Sequence, residues 1–95
     1  MYAVAGKWLM DPAQQEQQDQ VLHDQIVPMV KAAPGFVSGH WSRAADGVEH
    51  VSLLLFEDQA SAEAFADTVR SDPMDRARSG VEPAWLAVTE IVATA

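Results

Sequence analysis

His50 and Ser52 stand two apart in the run EHVSLLLF. In an extended chain, residues two apart point to the same side. An imidazole with its usual pKa of about 6.5 can take a proton from a bound molecule or donate a hydrogen bond to an oxygen. The Ser52 hydroxyl offers a second hydrogen-bond partner. The Asp46-Gly47 dipeptide just upstream is a strong hairpin signal. With those two as the central turn residues, Ala45 faces Val48, Arg43 faces His50, Trp41 faces Ser52 and Val37 faces Phe56. Trp41, Arg43, His50, Ser52, Leu54 and Phe56 then share one face, which Trp8 and Tyr2 join from an earlier strand. His50 and Ser52 are the candidate catalytic pair on that face. Trp8, Trp41, Arg43 and Phe56 are the candidate substrate contacts, the tryptophans as apolar walls that stack on a planar ring. The structural alternatives are equally concrete. His50 would pair with Arg43 across an exposed hairpin end, and the tryptophans would fill space between layers.

Other chemistries are poorly supplied. The chain has no cysteine, so a disulfide framework, a thiol nucleophile and a cysteine-ligated metal are excluded. His40 falls on the opposite face from His50, so no metal site is expected. No serine sits in a nucleophile-elbow pattern, and no glycine-rich phosphate loop is present. A formal charge of −8 would repel phosphates, so a nucleic-acid partner is not expected. Arg70, Arg76 and Arg78 are interleaved with Asp67, Asp72 and Asp75 and read as a self-neutralised, solvated face. No apolar run reaches the ~20 residues of a membrane span. The start, MYAVAGKWLM, alternates like a strand and lacks the basic region of a signal peptide, so a cytoplasmic protein is expected.

The elements that must hold the face follow from periodicity. Tyr2 to Met10 alternates as a strand. Asp11-Pro12 gives an N-cap with proline at the first helical position, and Gln14 sits where a capping-box partner would reach back. Leu22, Ile26, Met29, Val30 and Ala33 mark one helical face. Pro28 interrupts that helix, and a kink or break is predicted within a residue or two of it. Pro34-Gly35 stops it. Phe36 to Arg43 and Val48 to Phe56 are the hairpin strands. Asp58 caps a second helix with an apolar stripe at Ala62, Phe65, Ala66 and Val69. Asp72-Pro73 opens a short further turn or helix that Gly80 closes, and Val81 to Pro83 is a connector. Trp85 to Val92 is the last strand.

The order βαββαβ, over 95 residues and one domain, predicts an α+β, ferredoxin-like fold with both helices on one side of an antiparallel sheet. The other side would carry Phe36, Val51, Leu53 and Leu55. An apolar face of that kind calls for a partner, and a homodimer is expected.

The residues IVPMV, then PGF, a hairpin, and VSLLLFEDQASAEAFA resemble the antibiotic-biosynthesis-monooxygenase-like branch of the dimeric α/β-barrel superfamily. The resemblance covers the chain from Tyr2 to the last strand. It implies a homodimer whose sheets pack face to face into a barrel, with a pocket in each subunit between sheet and helices. It implies a small aromatic or quinone-like ligand and oxygenation without a cofactor, in which the protein deprotonates and holds an aromatic ring. Haem degraders belong to the same group, as do domains without a known activity. The resemblance also marks departures. Catalytic members use an asparagine and a tryptophan in the pocket. This chain has no asparagine, Ser52 or Gly6 stands where it would be compared, and Phe56 stands where the strand-end tryptophan would be. The haem degraders' second-helix histidine is also missing. Two readings therefore stay open: a cofactor-free oxygenase, or a non-catalytic dimer that binds a small apolar ligand. An open cavity favours the first, and a pocket filled by Trp8, Trp41 and Phe56 favours the second.

Overall fold

The hairpin sets the register of the sheet. The computed structural model describes residues 1–71 and 81–95. Its elements are β1 (Tyr2–Met10), a 3-10 turn (Pro12–Gln14), α1 (Gln15–Val21), a π-helical turn (Leu22–Ile26), α2 (Val27–Lys31), β2 (Phe36–Arg43), β3 (Glu49–Phe56), α3 (Gln59–Arg70) and β4 (Val81–Glu90). The strands pair antiparallel in the order β2-β3-β1-β4. This is the ferredoxin-like arrangement that the element order predicts. The turn or helix expected from Asp72-Pro73, and Asp72, Asp75, Arg76 and Arg78 of the expected charged face, lie outside the described residues.

Arg43 pairs with His50, Trp41 with Ser52 and Gly39 with Leu54, as the Asp-Gly signal predicts. The turn itself differs. Pairing ends with the Ala44 N–H donating to the Glu49 carbonyl, and the Gly47 N–H closes the turn on the Ala44 carbonyl at 3.0 Å. Ala45 and Asp46 are therefore the central residues. Gly47 follows at φ +76°, a left-handed conformation that glycine adopts without a Cβ clash. The Asp46 carboxylate accepts from the N–H groups of Val48 and Glu49, which holds its pKa below the usual carboxylate value.

At the other end of the hairpin the expected register fails. Phe56 faces Phe36, not Val37, because a bulge at Val37 inserts one residue between Phe36 and Ser38. The bulge turns Phe36 inward. Its ring packs edge-on against Phe56, with centroids 5.9 Å apart, and Val37 is left exposed. Phe36 therefore belongs to the core and not to the outer face. The last strand also differs. It begins at Val81 and includes Pro83, which was expected in a connector, and it ends at Glu90. β4 is an edge strand and its register shifts beside Trp8, the two settings in which a sheet admits proline.

Pro28 has the predicted effect two residues upstream. In a continuous α-helix its ring would clash with the Asp24 carbonyl, and that carbonyl would lose its donor. The chain widens into the π turn instead. The Val27 N–H reaches back five residues to the Leu22 carbonyl, and Pro28 then sits in the first turn of α2, where no donor is needed.

Asp58 caps α3 by accepting from the Ser61 N–H at 2.7 Å. α3 lays Ala62, Phe65 and Ala66 on Val4, Val30, Leu54 and Phe56 to form the core. The backbone and side-chain hydrogen bonds from Ser61 depress the Asp58 pKa. A depressed carboxylate adds stability above its unfolded pKa of about 3.9 and loses it as pH falls through the folded value. Asp58→Asn keeps a capping oxygen without the titration. Urea unfolding at neutral and acid pH should therefore show a smaller acid loss in the variant. Equal losses would remove Asp58 from the acid response.

Candidate functional site

The inner face of the sheet is read directly from β1. Val4, Gly6 and Trp8 point toward the helices, and β3 places Leu54, Ser52 and His50 opposite them. α3 packs on one half of this face through Phe65. α1 and the π turn stand off from the other half. A cavity of about 440 Å³ remains between them. Trp8, Trp41, His50 and Ser52 line it from the sheet. Gln18, Leu22, Ile26 and Met29 line it from the first helix, and Thr68 and Val69 from α3. The volume lies within the ~300–1,000 Å³ usual for small-molecule sites.

Four of the six predicted site residues thus share the cavity. The other two do not line it. Phe56 is fully buried in the core between Phe36 and Phe65, its ring 5.4 Å from that of Phe65. Arg43 sits beside the cavity at the end of β2, where its Nη2 forms an ion pair with Asp19 of α1. Sequence reading missed the helical side of the wall. The first helix's apolar stripe predicts packing, and nothing in that stripe signals a gap beneath it. His23 is exposed and does not line the cavity. His40 pairs with Leu53 and faces away from His50, as expected.

The polar groups are ordered among themselves. The Trp8 indole N–H donates to Ser52 Oγ at 3.2 Å. Ser52 is only 5% exposed, and with its oxygen accepting from Trp8, its O–H is left to donate. Gly6 makes room for this pair. A Cβ there would come within 3.0 Å of the indole nitrogen and 3.2 Å of Ser52 Oγ.

His50 is also engaged. Arg43 Nε–H donates to its Nε2 at 3.3 Å, so that nitrogen is the acceptor and the ring proton lies on Nδ1. Burial first, and the nearby guanidinium second, push the His50 pKa below its usual value. The imidazole is therefore neutral near pH 7, the form a base requires. Among the described residues no three His, Asp or Glu side chains come together to hold a metal. No helix among them is long and apolar enough to cross a membrane.

No family model and no curated protein matches the chain. Several solved structures do. The monooxygenase ActVA-Orf6 of Streptomyces coelicolor, in complex with nanaomycin D, superposes with a TM-score of 0.67 over 99% of this chain and 90% of its own, at 19% identity. A dimeric ferredoxin-like protein from an uncultured marine organism has a TM-score of 0.72 over 99% and 97%, at 15% identity. The haem degrader MhuD of Mycobacterium tuberculosis, with two haems in its active site, has a TM-score of 0.67 over 99% and 97%, at 18% identity. The chain shares with them the ferredoxin-like fold. Likeness at this level of identity extends to the fold, and activity must be argued from the site.

Proposed function

We propose that the chain is one monooxygenase-like domain that holds a small planar aromatic or quinone-like molecule between sheet and helices and works as a homodimer. The observation that carries the reading is the open cavity walled by Trp8 and Trp41, with the Ser52 hydroxyl as donor on its sheet side. The fold likeness to a monooxygenase that binds nanaomycin D supports it, and the dimeric neighbour supports the assembly.

The reaction class is oxygenation of an anthrone-type phenol without a cofactor. The ring CH₂ becomes a carbonyl. One atom of O₂ enters the product, and the other leaves as water with the two hydrogens. The protein's task is to remove the first proton and keep the resulting electron-rich anion away from water. Ser52 would donate to the substrate oxygen. His50 would take the proton at Nε2 after Arg43 Nε–H moves off it.

A second reading, a non-catalytic ligand-binding dimer, is favoured by that same contact. In the resting protein the lone pair a base needs is already bound to Arg43. Oxygen uptake with anthrone-type phenols and absorbance titration with haem separate the two readings. With His50 as base, His50→Ala should lose about a hundredfold or more in turnover. Equal turnover in wild type and variant removes His50 from the role. Binding without turnover in either protein establishes the second reading, and no binding across the panel removes both.

A further inference from the structure

We propose that Arg43 is the anion contact of the cavity, so that the preferred ligand is an aromatic acid or ionised phenol whose charged oxygen takes the place of Asp19 on the guanidinium. This rests on the reading of the cavity as a ligand site.

The geometry has three parts. Arg43 touches two residues of the cavity wall, donating Nε–H to His50 and Nη2 to Asp19. The ion pair thereby ties the end of β2 to α1 across one end of the cavity. A guanidinium has five N–H donors in a planar fork, and two of its nitrogens are used here. In the resting protein the bond to His50 orients the fork at a second point besides Asp19. Asp19 is the member that can leave. Its side chain is 40% exposed on a helix that stands off from the sheet, so water replaces the guanidinium at little cost.

The second polar contact is also a donor. Ser52 Oγ accepts from Trp8 and turns its hydrogen elsewhere. Ser52 and Arg43 face Trp41 and His50 across the hairpin, so their positions are two residues apart along it, about 7 Å. A flat molecule with an acceptor oxygen at one end and an anionic oxygen at the other matches both donors, with Trp8 and Trp41 on its apolar surfaces. A neutral ligand leaves the Arg43–Asp19 pair in place and gains nothing from Arg43. A cationic ligand would need Asp19 and would leave the guanidinium unpaired beside the neutral His50.

Calorimetric titration with 6-hydroxy-2-naphthoate, its methyl ester and 2-naphthylmethylammonium tests this. Wild type should bind the acid about tenfold more tightly than the ester, the size of one charge-assisted hydrogen bond. The gap should narrow at high salt. Arg43→Gln should bring the two affinities together, and Asp19→Asn should widen the gap by removing the competitor. If Arg43→Gln does not fold, Asp19→Asn and the salt series decide. An acid preference that neither of them moves overturns the proposal. Equal binding of acid and ester overturns it while leaving the cavity a ligand site, and so does tighter binding of the ammonium. Binding of none of the three removes the underlying reading instead.

Discussion

Replacing Leu53 with Glu is expected to split the protein into monomers or to unfold it. Leu53 lies on the side of the sheet away from the helices and is 39% exposed within one chain. Val51 beside it is 44% exposed and Trp85 is 48% exposed, with Val37 standing out from the bulge at the edge. The proposed homodimer covers this face with its own copy. Each protomer would then bury a carboxylate without a partner, near the same charge from the other protomer. Lys7 on the same face does not relieve this, because it already pairs with Glu49 at 2.9 Å. An uncompensated buried charge costs about 3–5 kcal/mol. A surface substitution on a monomer stays within about 0.5 kcal/mol. Light scattering behind a sizing column, with urea unfolding at several protein concentrations, distinguishes the two. A wild-type monomer, or a Leu53→Glu protein with unchanged mass and stability, would overturn the dimer.

Replacing Phe56 with Ala should cost stability first and ligand affinity little. The ring is wholly buried and packed between Phe36 and Phe65. Truncating a core phenylalanine costs about 3–5 kcal/mol, a large share of the 5–15 kcal/mol that holds a small domain together. Phe56→Leu keeps most of the volume and should lose less. In urea the order of midpoints should be wild type, Leu, Ala. A folded Phe56→Ala protein of near-normal stability with sharply weaker ligand binding would put Phe56 back among the ligand contacts.

The reasons for success and failure in reading the sequence are local. Asp46-Gly47 made the pairing of Arg43 with His50 and of Trp41 with Ser52 legible, because a tight turn fixes register and alternation carries it outward. The carry stops at the bulge. Val37 has no glycine or proline beside it to signal an extra residue, and what favours the bulge is the tertiary contact of Phe36 with Phe56. Pro28 announced a break in the helix but not its form, since a widened turn and a kink both avoid the same clash. Pro83 read as a connector because proline is excluded from central strands, and its place at an edge depends on a strand order that the local sequence does not print. Within the site, the inward residues of β1 and β3 and the pairing of Arg43 with His50 were legible, and Arg43's ion-pair partner was not. Asp19 sits in a polar run, QQEQQDQ, whose spacing shows only a solvated helix.

The most direct test of the cavity as the ligand site uses the protein's three tryptophans. Trp8 and Trp41 line the cavity, and Trp85 lies on the opposite face. Their indole N–H resonances can be followed by NMR, assigned from Trp→Phe variants, during titration with 6-hydroxy-2-naphthoate. The account predicts saturable shifts of the Trp8 and Trp41 signals with Trp85 unmoved. Movement of Trp85 alone would contradict it.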